Sequence, residues 1–303
     1  LKTKNADLVL VVGSALDEVS TSGWDTTAIL SERLIHVSRN PEHLTRSTMA
    51  RLVILGSPKL TLASIAGALG VETGGGFVST TEQHSQLPLQ IRLDNRTACE
   101  NVSGSIKPQA LMTYMSRVCP SNARVLMDSG NSFLWGIHHW NIRRYEHQDP
   151  SKKYFHIGIG FSSMGWAIGA SVGVAAAVKN TPVICFTGDG SYLMAGQEIT
   201  TALQENLNLL MVVLNDSSLG MVRHGQSLSG GEPIGNSLPV IRYADLAKAM
   251  GIESYRIETM EQLLSLDLES ILQRSGPCLL DVIIDRDEVP PMGSRMKVLT
   301  GAA

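Results

Sequence analysis

Two short apolar runs constrain this chain more than any other feature: Val183-Ile184-Cys185-Phe186-Thr187-Gly188 and Met211-Val212-Val213-Leu214-Asn215-Asp216. Each has the length of a buried strand and each stops abruptly at polar or glycine residues. Between them, Leu193 to Asn206 is predicted as a helix. Strand, helix, strand in that order makes the two strands parallel neighbours, with both following loops at one edge. Ligands bind along that edge in open α/β sheets. Asp189 and Asp216, 27 positions apart (216 − 189), can meet there. Gly188 and Gly190 let the backbone turn tightly and let an oxyanion approach its N–H groups. Two hard carboxylates beside a phosphate-sized gap suit Mg²⁺, which takes oxygen ligands and is often shared with a diphosphate.

The rest of the chain repeats the strand–helix alternation. Strands are predicted at Asp7 to Gly13, Leu34 to Val37 and Leu52 to Leu55, with helices at Thr27 to Arg33 and Leu60 to Leu69. That pattern implies a parallel sheet of Rossmann type. From Glu72 to about Ser105 the composition turns to Gly, Thr, Ser and Gln without periodicity, which reads as a linker. A helix then opens at Pro108 and carries Leu111, Met112 and Met115. Strands follow at Arg124 to Met127 and Tyr154 to Ile159, and a small-residue helix after Met164. Beyond the central unit come amphipathic helices at Tyr243 to Met250 and Met260 to Gln273, and strands at Glu253 to Ile257 and Cys278 to Ile284. The fold class is therefore α/β, with two Rossmann-like domains whose parallel sheets are flanked by helices. Residues 1–75 form the first domain, 76–105 a linker and 106–303 the second. The first is small for that architecture and reads as cut off at its start.

Composition narrows the function. A chain of 303 residues, 43% hydrophobic and 17% charged, can bury a sizeable core. Its net charge of −3 comes without a basic cluster, so nothing points to nucleic acid. The most apolar window, Gly165 to Val178, is closed by Lys179, Asn180 and Pro182 before membrane-spanning length, so no membrane partner is expected. Cys99, Cys119, Cys185 and Cys278 show no CxxC spacing and read as reduced thiols, consistent with a cytoplasmic protein.

Gly188-Asp189-Gly190-Ser191, followed by Asn215-Asp216, resembles the signature of thiamine-diphosphate enzymes. Leu219-Gly220-Met221-Val222 is similar to the acetolactate synthase branch of that family; the family resemblance also covers Ser163-Met164-Gly165 and Asp128-Ser129-Gly130-Asn131-Ser132, although that branch carries Gln-His where this chain has Asn131-Ser132. The resemblance implies thiamine diphosphate and Mg²⁺ as cofactors. It assigns the metal to Asp189, to the side chain of Asp216 (where the family carries Asn) and to the backbone carbonyl of Ser218. Gly130, Asn131 and Ser132 would touch the diphosphate. Met164, beside Ser163, would prop the cofactor into its bent shape, and Leu219, Gly220 and Met221 would line it. His138, His139 and His156 read as surface or partly buried residues. His224 follows Met221-Val222-Arg223 toward the presumed substrate mouth.

The departures matter as much. The branch's pocket Trp is matched by Gly225. Its flavin-contacting loop is matched by Leu16-Asp17-Glu18-Val19-Ser20-Thr21-Ser22, without the Arg, and its Asp-Ile-Asp by Ser38-Arg39-Asn40. Those changes argue against a bound FAD. What the resemblance implies is decarboxylation of a small 2-oxo acid with carbon–carbon ligation, in a homodimer or homotetramer. The activating glutamate belongs to an amino-terminal domain that these residues do not match, and these residues alone are expected to be inactive. Two other readings stay open: a non-catalytic cofactor-binding or interaction module, and a Mg²⁺-dependent phosphohydrolase, for which no nucleophile is identifiable.

Overall fold

The structure is a computed structural model that describes residues 5–17, 20–21, 24–27, 29–70, 104–141, 149, 152–178 and 180–292. The predicted linker therefore lies outside the described residues, apart from its last two positions. Internal contacts divide the chain into two units, residues 1–87 with 292–303, and residues 88–291.

In the first unit, β1 (Val9–Val12), β2 (Leu34–Ser38) and β3 (Leu52–Leu55) pair in parallel in that order. Helices α1 (Pro41–Leu44) and α2 (Pro58–Ala68) both carry Pro in the first turn, where its missing N–H goes unneeded. Val9, Leu16, Leu30 and Leu34 form a small buried cluster. The helix expected from Thr27 to Arg33 does not form: the described positions there make turns and bends. Asp25 accepts hydrogen bonds from the Thr27 backbone N–H at 2.8 Å and its hydroxyl at 2.7 Å, a local alternative to helical pairing. Ser38, standing where the branch has an acidic residue, is buried and accepts from the Asn40 N–H at 3.1 Å, bracing the start of α1.

The second unit is a six-stranded parallel sheet in the order β5-β4-β6-β7-β9-β8. Its strands are β4 (Arg124–Met127), β5 (Phe155–Ile157), β6 (Val183–Gly188), β7 (Leu209–Asn215), β8 (Glu253–Ile257) and β9 (Cys278–Ile283). β6 and β7 are almost wholly buried because helices cover both faces, so their sequences are continuous apolar runs. On one face lie α3 (Pro108–Val118) and α4 (Asn131–His139), with α10 (Met260–Ser265) and α11 (Leu268–Gln273). On the other lie α5 (Trp166–Ala177), α6 (Asp189–Ala195), α7 (Ile199–Gln204) and α9 (Tyr243–Ala249). α8 (Gly220–Leu228) follows β7.

Three expected elements differ in detail. The helix after β6 begins at Asp189, ahead of Leu193, and is broken by a 3-10 turn at Gly196–Glu198. Gly196 packs so closely on the Tyr192 ring that a Cβ would lie 2.6 Å from it. The single helix predicted from Met260 to Gln273 is two, because Asp267 caps the second by accepting from the Ser270 N–H at 3.1 Å. Gly130 to Ser132, whose composition favours a turn, is instead a helix start: α4 opens at Asn131.

The chain leaves β4 toward one face and β6 toward the other, although the two strands are adjacent. That reversal opens a crevice at their carboxyl ends. The fully buried Asp128 pins it. Its Oδ2 accepts from Thr187 Oγ1 at 2.8 Å and the Gly165 N–H at 3.1 Å, and its Oδ1 from the Ala167 N–H at 3.2 Å. Asp128→Ala orphans these three buried donors and is expected to destabilise the fold by about 3 kcal/mol or more. Urea unfolding measures it, with exposed Asp245→Ala expected to leave the midpoint nearly unchanged.

Candidate functional site

Parallel register decides what meets at the crevice. Gly188 pairs with Leu214, so Asp189 and Asp216 stand just past the paired ends of β6 and β7. Asp189 is buried: its Oδ1 accepts from the Gly190 N–H at 2.7 Å and its Oδ2 from the Ser218 N–H at 3.2 Å. The loop after β7 is held across it by two backbone bonds, Leu219 N–H to Asn236 O at 2.7 Å and Leu238 N–H to Ser217 O at 2.9 Å. Ser217 takes a left-handed φ of 52° to make that turn. Tyr243, fully buried, reaches the Asp189 carbonyl with its hydroxyl at 3.4 Å and stacks edge-on against Tyr192.

Most of the residues expected at the site come together. A Cβ on Gly190 would lie 2.6 Å from Leu219 Cδ2, 3.2 Å from Met164 Cε and 3.5 Å from Leu238 Cδ1, so glycine lets three apolar side chains close over the loop. A Cβ on Gly220 would lie 2.9 Å from both Asn131 Nδ2 and Asp216 Oδ2, which places the β4 and β7 loops against one another. Ser191 is buried in the first turn of α6, and Met221 lies half-buried in the first turn of α8. Ser132 is turned inward, its hydroxyl donating to the Asp128 carbonyl at 3.0 Å. Ser163 is exposed.

His224 is buried in α8, where its Nε2 meets the Arg286 carbonyl at 3.1 Å and its Nδ1 meets Asn131 Nδ2 at 3.2 Å. One helical turn after Gly220, it faces the same way as that glycine, which adjacency in sequence does not reveal. His138 is exposed, His139 half-buried against Trp135 and His156 half-buried, as expected. Sequence reasoning missed Asp128, Leu238 and Tyr243. Of these only Asp128 carried a signal, a carboxylate directly after an apolar strand.

The chemistry of these groups fits a divalent cation beside an anion. The starts of α4, α6 and α8 converge here without a side-chain cap from the residue before each; in α6 the Gly190 N–H is taken by Asp189 Oδ1, while α4 and α8 open with no capping side chain. Gly130, at φ 95° and ψ −152°, takes a conformation essentially reserved for glycine to open α4 this way. Asn131 Oδ1 and Ser218 Oγ are buried without a partner among the described residues. Among the described residues no group of three or more His, Cys, Asp or Glu could hold a metal. A cation held by Asp189 and Asp216 would complete its shell with neutral or phosphate oxygens. Asp216 lines one side of a cleft of about 410 Å³, together with Asn215, Ser217, Arg256, Asp285 and Arg286 among others.

Residues 128–282 match the family described as thiamine pyrophosphate enzyme, C-terminal TPP binding domain, and residues 2–65 match the central domain of the same enzymes. The chain is 29% identical to the acetolactate synthase large subunit of Haemophilus influenzae over 297 residues, 96% of this chain and 50% of that one. It is 27% identical to the isozyme 2 large subunit of Escherichia coli, covering 98% of this chain and 52% of that one. The chain thus spans about half the length of the curated relatives it matches. A Mycobacterium smegmatis protein, whose solved structure is described as that of a candidate thiamin diphosphate-dependent enzyme, superposes with a TM-score of 0.62. At 20% identity, over 92% of this chain and 48% of that one, the likeness shows a shared fold.

Burial pushes Asp189 up to about 6, against four backbone N–H groups that hold it down. Burial, then the charge of Asp189, pushes Asp216 up to about 7, with Arg286 and Arg223 opposing. Both folded-state values exceed the ordinary 3.8, so the native state binds these protons more tightly than the unfolded chain. Their contribution to stability is therefore full below about pH 4 and is lost as pH rises toward 7. In metal-free buffer, Asp216→Asn is expected to flatten the fall in melting temperature across that window. Calorimetric scans that stay parallel to those of the unaltered chain would contradict it.

Proposed function

Because the chain belongs to the thiamine pyrophosphate enzyme family, we propose that it forms the central and cofactor-binding part of a thiamine-diphosphate- and Mg²⁺-dependent enzyme acting on a small 2-oxo acid. The reaction is decarboxylation followed by ligation to an acceptor carbonyl, as in the acetolactate synthases it is similar to. The observation that carries this reading is the convergence of Asp189, Asp216 and three uncapped helix starts on one crevice.

When bound, the cofactor supplies a nucleophilic carbon and an electron sink for the departing CO₂. The chain's residues supply placement. Asp189 and Asp216 hold the cation, with the Ser218 carbonyl as a third oxygen. The N–H groups at the starts of α4 and α6 receive the diphosphate. Met164, Leu219 and Leu238, which meet above Gly190, form the apolar wall that bends the cofactor and keeps water from it. The pyrimidine end is received by a separate domain carrying the activating glutamate, and the active form is a homodimer or homotetramer. Phe161 and Met194, exposed at 95% and 64%, support packing against further protein. No flavin enters the reading.

Asp189→Ala removes one of two carboxylates and is expected to lower Mg²⁺-dependent thiamine diphosphate affinity at least about a hundredfold, the loss of a charge-assisted contact with its orphaned partner. Asp216→Asn keeps an oxygen at the same reach and is expected to retain binding. Titration calorimetry decides between them, and unaltered binding by Asp189→Ala would contradict the assignment.

A further inference from the structure

The site leaves one polar contact without an assigned purpose. His224 is buried in α8, and its two ring nitrogens face different chemistry. Nε2 lies 3.1 Å from the Arg286 carbonyl, which can only accept, so Nε2 carries a hydrogen. In the neutral ring Nδ1 then presents a lone pair. The Asn131 atom 3.2 Å from it must therefore donate, which makes it the amide nitrogen. The opposite face of that amide, Oδ1, is left buried with no partner among the described residues.

The surroundings support a neutral ring. Burial holds His224 below its ordinary value; the Arg286 carbonyl and Asp287 oppose this and Arg223 reinforces it. Arg223 also braces the same strap: its Nη1 donates to the Arg286 carbonyl at 2.6 Å and its Nη2 pairs with Asp287 at 2.6 Å. The segment after β9 thus fixes the imidazole from outside, and the imidazole fixes Asn131 from inside. Asn131 is the first residue of α4, and its amide nitrogen shares with Asp216 the space that a side chain at Gly220 would fill.

We propose that His224 is a positioning residue: by accepting from Asn131 Nδ2 it fixes the sense of that amide and holds the first residue of α4 against Gly220 and Asp216, in the arrangement that receives the cofactor and its metal. This rests on the cofactor reading above. Anchored at Nε2 by the Arg286 carbonyl, the imidazole links the strap after β9 to the β4 end of the crevice.

Two measurements on the whole chain test this. Long-range proton–nitrogen NMR of the cofactor-free chain is expected to show His224 as the Nε2–H tautomer. In Asn131→Ala the Nδ1 resonance should move to that of an unbonded lone pair. A proton on Nδ1 overturns the proposal whether or not the cofactor binds. Calorimetric titration with Mg²⁺ and thiamine diphosphate then separates positioning from a merely structural strap. His224→Asn places an oxygen where Nδ1 was and should keep affinity within about threefold, whereas His224→Gln reaches only the Arg286 carbonyl and should lose roughly tenfold, the value of about one hydrogen bond. The reverse order, rescue by Gln and loss with Asn, overturns the proposal. If the unaltered chain binds no cofactor, the functional reading fails and the tautomer alone decides the role of His224.

Discussion

A carboxylate with no access to water, Asp128, sits where the chain's direction across the sheet reverses, and the site depends on what it holds. It binds the second strand of the crevice through Thr187 and the start of α5 through two backbone N–H groups. Because α5 begins there, Met164 is carried over Gly190, and the apolar wall is built against the loop that bears Asp189. A buried charge whose hydrogen bonds are all made to fixed donors rigidifies its surroundings. A second fully buried carboxylate does the same work one strand over. Asp281 accepts from Asn215 at 2.8 Å and from Arg256 at 3.1 Å, anchoring the end of β7 immediately before Asp216. The two carboxylates proposed to hold the cation are therefore hung from two others.

That arrangement concentrates unfavourable electrostatics where a cation is expected. Asp189 and Asp216 are both pushed upward mainly by burial, and each is opposed only by backbone dipoles or by arginines at the rim. A protein selected for stability alone would place an apolar or singly charged group there. The starts of α4 and α8 carry the complementary bias, partial positive charge with no capping side chain. On the reading proposed above, a diphosphate with its metal would satisfy both at once, the cation meeting the carboxylates and the anion the N–H groups. Neither half of the site is comfortable without the other.

Strands were the most legible part of the sequence. Leu52–Leu55, Arg124–Met127 and Glu253–Ile257 form over the expected bounds; in the first two an apolar run of strand length ends at Gly56 and Asp128, residues poor in sheets. Helix starts were harder. Gly130-Asn131-Ser132 has turn composition, yet here glycine opens a helix instead of a loop, which only its positive φ reveals. The pairing of Asp189 with Asp216 was legible from the order strand, helix, strand. The closure over Gly190 was only partly so: Met164 and Leu219 carried a motif, while Leu238 comes from a segment with no periodicity. His224 marks the limit of the method. Its place in the chain pointed toward a mouth, but the rotation of a helix about its axis decides which groups it touches.

The central claim is that one crevice, formed by the ends of β4, β6 and β7, takes the cation and the diphosphate together. Paramagnetic broadening of backbone amide signals by Mn²⁺, with thiamine diphosphate present, tests it most directly. The account predicts selective loss of the signals of Gly130 to Ser132, Gly188 to Ser191 and Asp216 to Met221, with the loss abolished in Asp189→Ala. Broadening confined to the far side of the adjoining cleft, around Arg256 and Asp285 and sparing Gly130 to Ser132 and Gly188 to Ser191, or an unchanged pattern in Asp189→Ala, would contradict it.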